Sequence, residues 1–169
     1  VACVFVDFSD PMLEALKAKL GERPNASVLK ADFSSPEWRE APECRGCFDI
    51  IVSGYSIHHQ SDMRKQVLYE ELYEMLEPGG VFLNLEHVAS STPANSELFD
   101  SFFVDGLVAF HKARSPEKSA REIADEYYNR PDKNENILAP VSVQCEWLRR
   151  IGFRDVDCFF KAFELALFG

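Results

Sequence analysis

Positive charge is scarce in this sequence: 18 Lys and Arg stand against 28 Asp and Glu, a formal net charge of −10. Such a surface repels phosphate backbones, so general nucleic-acid binding is disfavoured, with a local basic groove left open. Long apolar runs are lacking too. None approaches the roughly 18 residues a membrane span needs, and the opening VACVFV has neither the basic flank nor the length of a signal peptide. No membrane association is expected and the chain reads as cytoplasmic. The five cysteines are odd in number and lack the dense spacing of a disulfide scaffold, which fits reduced thiols. Repeats, low-complexity tracts and linkers are also missing. The 169 residues, 46% of them apolar, therefore read as a single domain over 1–169 with a real core.

Elements of two periodicities alternate along the chain. Val1 to Val6 reads as a buried strand, followed by a helix with Asp10 as N-cap and Pro11 at its first position, an apolar face of Leu13, Leu16 and Leu20, and Gly21 as its stop. Ala26 to Ala31 gives a second strand ending in Asp32-Phe33. Pro36 to Glu40 suits one or two helical turns, and Phe48 to Ser53 a third strand running into Gly54 and the pair His58-His59. From Asp62 to Leu76 the positions Met63, Val67, Leu68, Leu72, Met75 and Leu76 recur at helical spacing. Pro78-Gly79-Gly80 ends that helix, and Val81 to Leu85 forms a fourth strand delivering Glu86 and His87 to its C-terminal end. Residues 89–140 break the rhythm with a helical pattern rich in Phe and Tyr, read as a cap inserted over the sheet. A helix near Val143 to Ile151 follows, then strands over 153–159 and 162–168 separated by Phe160-Lys161 as an antiparallel hairpin. The pattern predicts an α/β fold with a doubly wound, mostly parallel sheet, whose ligands sit at the C-terminal strand ends.

Three groups of residues carry chemistry at those ends. Asp7 closes the first strand, where a carboxylate offers two acceptor oxygens to a ribose diol; capping the next helix is the plainer alternative. Asp32 can accept from an adenine amino group while Phe33 packs on the ring, so the two acids together describe an adenosine pocket. His58, His59, Glu86 and His87 are the candidate proton acceptors, because imidazole exchanges protons near neutrality. Packing or hydrogen bonding at a helix start is the alternative for the paired histidines. Cys44-Arg45-Gly46-Cys47 precedes a strand and has no second pair at metal-ligand spacing, so loop residues are the default and no metal is expected.

Several segments, in order, resemble the class I S-adenosylmethionine-dependent methyltransferases. They are Val6-Asp7-Phe8-Ser9-Asp10-Pro11-Met12-Leu13, Ala31-Asp32-Phe33, Phe48 to Ser53 followed by Ile57-His58-His59, Leu76-Glu77-Pro78-Gly79-Gly80, and Trp147-Leu148 with Gly152-Phe153. The resemblance implies a Rossmann-like seven-stranded sheet with an antiparallel C-terminal hairpin, and S-adenosylmethionine as cofactor. It implies that Asp7 holds the ribose, Phe8 and Met12 flank the adenine, and Asp32 with the Phe33 amide reads the adenine edge. Ser53, Gly54 and His59 would border the methionine part. The family's first strand and its glycine-rich loop have no counterpart here. That strand lies between the ones read at 1–6 and 48–53, so a gap in the sheet and an N-terminally incomplete chain are expected.

The function these readings imply is methyl transfer from S-adenosylmethionine to a small molecule held under the cap. Phe103, Phe110, Tyr127 and Tyr128, with Phe102, would line its pocket; extra core packing is the other reading of the same aromatics. A tRNA or protein methyltransferase, a non-catalytic adenosyl-ligand-binding or partner-binding protein, and a dinucleotide-dependent oxidoreductase stay open as alternatives. The oligomeric state is open, a homodimer included.

Overall fold

The computed structural model describes residues 1–114, 118–131 and 135–169. The chain divides into two compact units: Val1–Ile51 with Met63–Phe82, and Val52–Asp62 with Leu83–Gly169.

In the first unit β1 (Cys3–Asp7) lies parallel to β2 (Ala26–Lys30), with Asp7 opposite Lys30, and α1 (Asp10–Leu20) makes the crossover. The helix begins one residue earlier than expected. The Asp7 carboxylate accepts from the Ser9 amide at 2.8 Å, which fixes the turn so that Ser9 becomes the N-cap and Asp10 the first helical residue. Gly21 stops the helix at φ 59, with its amide donating to the Lys17 carbonyl. α2 (Asp62–Glu74) buries Leu68 and Leu72 as its apolar pattern suggests, but the buried face is shifted at its edges. Met63 and Val67 are exposed, whereas Lys65 and Glu71 are buried beside Leu68, Tyr69 and Leu72. Glu71 is held inside by hydrogen bonds described below, which outweigh its preference for water.

Strands β3 (Phe48–Gly54) and β4 (Leu76–His87) each contribute their first half to this unit and their second half to the other. β4 starts at Leu76 rather than at Val81. Pro78 disfavours helix in the residue before it, and the Phe48 amide donates to the Met75 carbonyl at 2.8 Å, so the chain is already extended there. Gly80 is required by space: a Cβ would meet the Glu77 carbonyl oxygen at 2.9 Å and that of Phe48 at 3.0 Å.

In the second unit β4 pairs antiparallel with β6 (Leu165–Phe168), and β6 antiparallel with β5 (Cys158–Ala162). This is the expected hairpin with shifted bounds. Its turn falls at Phe163-Glu164 rather than Phe160-Lys161, with Phe163 at φ 52, and residues expected at the start of the first strand form a loop containing Asp155 at φ 54. The 89–140 segment supplies α3 (Pro93–Lys112), capped by the Thr92 hydroxyl, and α4 (Ala120–Tyr128), opened by a Ser119–Glu122 capping box. Phe99, Ile123 and Tyr127 are the buried members of this pair. α5 (Val141–Ile151) then buries Trp147 and Leu148 and ends at Gly152, φ 124.

The expected seven-stranded sheet is not what the chain forms. Among the described residues six strands fall into two sheets, β1-β2 and β3-β4-β6-β5, the second of them mixed in direction. Among the described residues no ladder joins β1 to β3, which is where the sequence placed a gap. No described helix is long and apolar enough to cross a membrane.

Candidate active site

The first unit gathers the residues read as a nucleoside site. Because β1 and β2 are parallel neighbours, Asp7 and Asp32 emerge side by side at their C-terminal ends, where the Ala31 amide donates to the Asp7 carbonyl at 3.0 Å. Each acid spends one oxygen on its own loop: Asp7 Oδ1 takes the Ser9 amide and Asp32 Oδ1 the Ser34 amide, both at 2.8 Å. That orients the carboxylates, and Oδ2 of each accepts no hydrogen bond among the described residues. Phe8 and Met12 are 62% and 61% exposed, an apolar surface next to Asp7 that a flat ring could cover.

A network that the sequence did not announce holds the Asp32 loop. Arg64 on α2 donates Nε to the Phe33 carbonyl at 2.6 Å and Nη2 to that of Ser35 at 3.2 Å. The same guanidinium grips Glu71 through two bonds of 2.9 and 2.8 Å, and Glu71 also accepts from Trp38 Nε1 at 2.7 Å. Phe33 meets the Trp38 ring edge-on at 5.1 Å. The available signal was the i, i+7 pair Arg64/Glu71, with an acid between Leu68 and Leu72.

In the second unit the four candidate proton acceptors come together. His58 and His59 lie in the single 3-10 turn Ile57–His59, their ring centroids 3.9 Å apart, and His58 lies 5.9 Å from His87. Glu86 is wholly enclosed. Its Oε2 accepts from the Ile57 and His58 amides at 3.1 Å each, and its Oε1 from the His87 amide at 3.1 Å, with His58 Nδ1 at 2.5 Å. A carboxylate satisfied on both oxygens and shut off from solvent holds the 57–59 turn in place, so positioning, and not proton abstraction, is the role its geometry permits. His87 differs, because its Nε2 pairs at 3.0 Å with Glu164 Oε2 and its ring borders a cavity. Glu164 sits in the β5–β6 turn, and nothing in its sequence context marks it. Ser53 Oγ is buried without a partner among the described residues, an orphaned hydroxyl beside Gly54.

The cavity, of about 440 Å³, lies between the end of β4, the start of α3 and α4. Tyr127 is the one predicted substrate-lining aromatic on its wall. Its hydroxyl donates to Asp100 Oδ1 at 2.6 Å and Arg130 lies over its ring at 4.3 Å; burial, and then the Asp100 bond, push the phenol pKa up to about 12. Phe103 lines a second cavity between α3 and α4, whereas Phe110, Tyr128 and Phe102 border neither and are half-exposed. Phe102 stacks on Phe163, and Phe110 lies under Arg114. Phe102, Phe103 and Phe110 lie on α3 and Tyr127 and Tyr128 on α4, and only one stripe of each helix can face a given cavity. Cys44 is buried, which raises its thiol pKa, and Cys47 is exposed; both are free thiols.

Residues 1–80 match the family model described as a methyltransferase domain. Among curated relatives, the demethylmenaquinone methyltransferase of Lactococcus lactis subsp. lactis is 29% identical over 98 residues, which is 58% of this chain and 37% of that protein. The chain thus spans well under half of that relative's length. Among solved structures, an O-methyltransferase family protein from Burkholderia thailandensis superposes at a TM-score of 0.63 with 14% identity, covering 99% of this chain and 42% of the other. PigF, solved with SAH, gives 0.60 and 17% over the same shares. The structural likeness establishes a Rossmann-like methyltransferase fold. The residue motifs and the family model over 1–80 make the chain similar to the class I S-adenosylmethionine-dependent methyltransferases.

Proposed function

We propose that the protein transfers a methyl group from S-adenosylmethionine to a small-molecule acceptor. The observation that carries this reading is the pair Asp7 and Asp32, set side by side at the ends of parallel strands, each with one oxygen already fixed by its own loop. Two such acceptors match the donors of an adenosyl group, a vicinal diol and an exocyclic amine. The cofactor supplies an electrophilic methyl on a positively charged sulfur. Asp7 takes the ribose, Asp32 and the Phe33 amide the adenine edge, and Phe8 and Met12 the faces of the ring.

On the acceptor side, His87 receives the proton and Glu164 orients it. In the tautomer that donates Nε2–H to Glu164, Nδ1 would be the nitrogen that takes the proton. His58 and His59 are held by Glu86 and by stacking, and act as walls. The PigF structure with SAH and the methyltransferase names of the relatives support the cofactor assignment. The net charge of −10 favours a small acceptor over RNA.

Calorimetric titration of the intact protein with S-adenosylhomocysteine tests the reading. Asp7→Ala loses charge-assisted hydrogen bonds worth about 1.5–3 kcal/mol, so affinity is expected to fall roughly 10- to 150-fold. Unchanged affinity in both Asp7→Ala and Asp32→Ala would remove the nucleoside site.

A further inference from the structure

We infer that Arg64 is a positioning residue for the adenine end of the cofactor: through the peptide unit between Phe33 and Ser34 it aims the Asp32 carboxylate, and so sets a preference for an amino-purine over an oxo-purine. The inference rests on the methyltransferase reading and adds to it the source of its base selectivity.

Asp32 is exposed and lies in the irregular segment after β2, where neither a ladder nor a helix fixes it. An exposed carboxylate discriminates between ligands only if it is held in place before they arrive. A single peptide plane holds it. The N–H of that plane, from Ser34, donates to Asp32 Oδ1 at 2.8 Å, and its C=O, from Phe33, accepts from Arg64 Nε at 2.6 Å. The two groups point to opposite sides of a rigid unit, so a rotation that releases Asp32 also breaks the bond to Arg64. Each bond has a charged group at its outer end. The guanidinium polarises the carbonyl, which makes the amide the better donor to the carboxylate.

The guanidinium is fixed in turn. Glu71 accepts from its Nη1 at 2.9 Å and its Nη2 at 2.8 Å, and Glu71 is itself held by Trp38 Nε1 at 2.7 Å. Nη2 also reaches the Ser35 carbonyl at 3.2 Å, on the far side of the same loop. The Phe33 ring meets Trp38 edge-on, so Phe33 is gripped by its carbonyl and by its side chain from one network. A lysine could satisfy Glu71, but a compact ammonium lacks the planar fork that spans Glu71 and two carbonyls at once.

Calorimetric titration of the intact protein compares S-adenosylhomocysteine with S-inosylhomocysteine, in which an oxygen replaces the exocyclic amine and N1 carries a proton. The wild type is expected to bind the adenosyl compound at least about tenfold more tightly, since the inosyl base offers Asp32 no amine donor. In Arg64→Lys that ratio should shrink at least about threefold, whereas a merely structural loss would weaken both ligands alike and leave the ratio where it was. Arg64→Met/Glu71→Met, which removes the Glu71 charge along with the guanidinium, should shrink it in the same way and decides the matter if the lysine variant does not fold. Equal affinities in the wild type, or a ratio kept in full by either folded variant, would overturn the assignment. The two levels separate in the same titrations. Wild-type protein that binds neither compound sinks the methyltransferase reading and the inference with it, and a wild-type preference unmoved by the Arg64 variants sinks the positioning role alone.

Discussion

Replacing Arg64 by Met is expected to destabilise the protein more than almost any other change at a charged position. Arg64 and Glu71 form an ion pair with side chains 12% and 4% exposed. The substitution keeps the length and apolar stem of the side chain but deletes two bonds to Glu71 and the bonds to the Phe33 and Ser35 carbonyls. Glu71 is then left buried, with Trp38 Nε1 as its remaining donor. Breaking a buried pair from one side costs about 3–5 kcal/mol, mostly because the other charge stays desolvated. Against a total stability of about 5–15 kcal/mol this is a large fraction. At roughly 2–4 °C per kcal/mol for a chain of this size, Tm should drop about 6–20 °C. The double variant Arg64→Met/Glu71→Met removes both charges and should be more stable than Arg64→Met alone, so the two changes will not add. Urea unfolding of the wild type, the two single variants and the double one measures this directly. A cost below about 1 kcal/mol for Arg64→Met, or simple additivity, would refute the reasoning. Because the same guanidinium fixes the loop after Asp32, affinity for S-adenosylhomocysteine should fall in Arg64→Met as well.

Further outcomes follow from single sites. His87→Gln should lower kcat by about 10²- to 10⁴-fold and leave calorimetric affinity for S-adenosylhomocysteine nearly unchanged; equal losses in both would point to a structural role. Gly80→Ala puts a Cβ 2.9 Å from the Glu77 carbonyl oxygen, and the strand must shift, at a cost of about 1–3 kcal/mol in urea unfolding. The Tyr127 phenol, raised from 10.0 to about 12, stays protonated in the fold after it would ionise in the unfolded chain. Folded-state protons are then the tighter bound, so its contribution to stability is complete below pH 10 and is lost as pH rises toward 12. Ultraviolet titration against Tyr127→Phe should place the missing phenolate step in that upper range.

How much of the molecule the sequence made legible depends on the distance between cause and effect along the chain. Strand and helix positions are local consequences of periodicity, capping and punctuation. β1, α1, β2, β3 and α5 accordingly fall within a few residues of where Val1–Val6, Asp10-Pro11, Ala26–Ala31, Phe48–Ser53 and Val143–Ile151 placed them. Asp7 and Asp32 could be named for the same reason, since a residue that closes a strand in an α/β fold has its position fixed by the strand. The apolar pattern went astray where a polar side chain found buried partners. Leu68 and Leu72 point inward as expected, but Glu71 joins them because Arg64 and Trp38 satisfy it, and only the i, i+7 spacing of Arg64 and Glu71 hints at that in sequence. The β5–β6 turn moved for a comparable reason, as pairing of β6 with β4 set the register and left Phe163 to adopt a positive φ.

The sequence by itself thus determined the alternation of elements, the acidic strand ends and the clustering of histidines after β3 and β4. The tertiary structure alone decided which of those histidines borders a cavity, which acid is sealed and which is left with an open oxygen. Glu86 and His87 are neighbours in the chain, yet they point to opposite sides of β4, as successive strand residues must. One is enclosed, and the other meets Glu164, 77 residues further along. Local rules set the direction of each side chain, but the partner it meets comes from a distant strand whose register is fixed by packing and hydrogen bonding across the sheet.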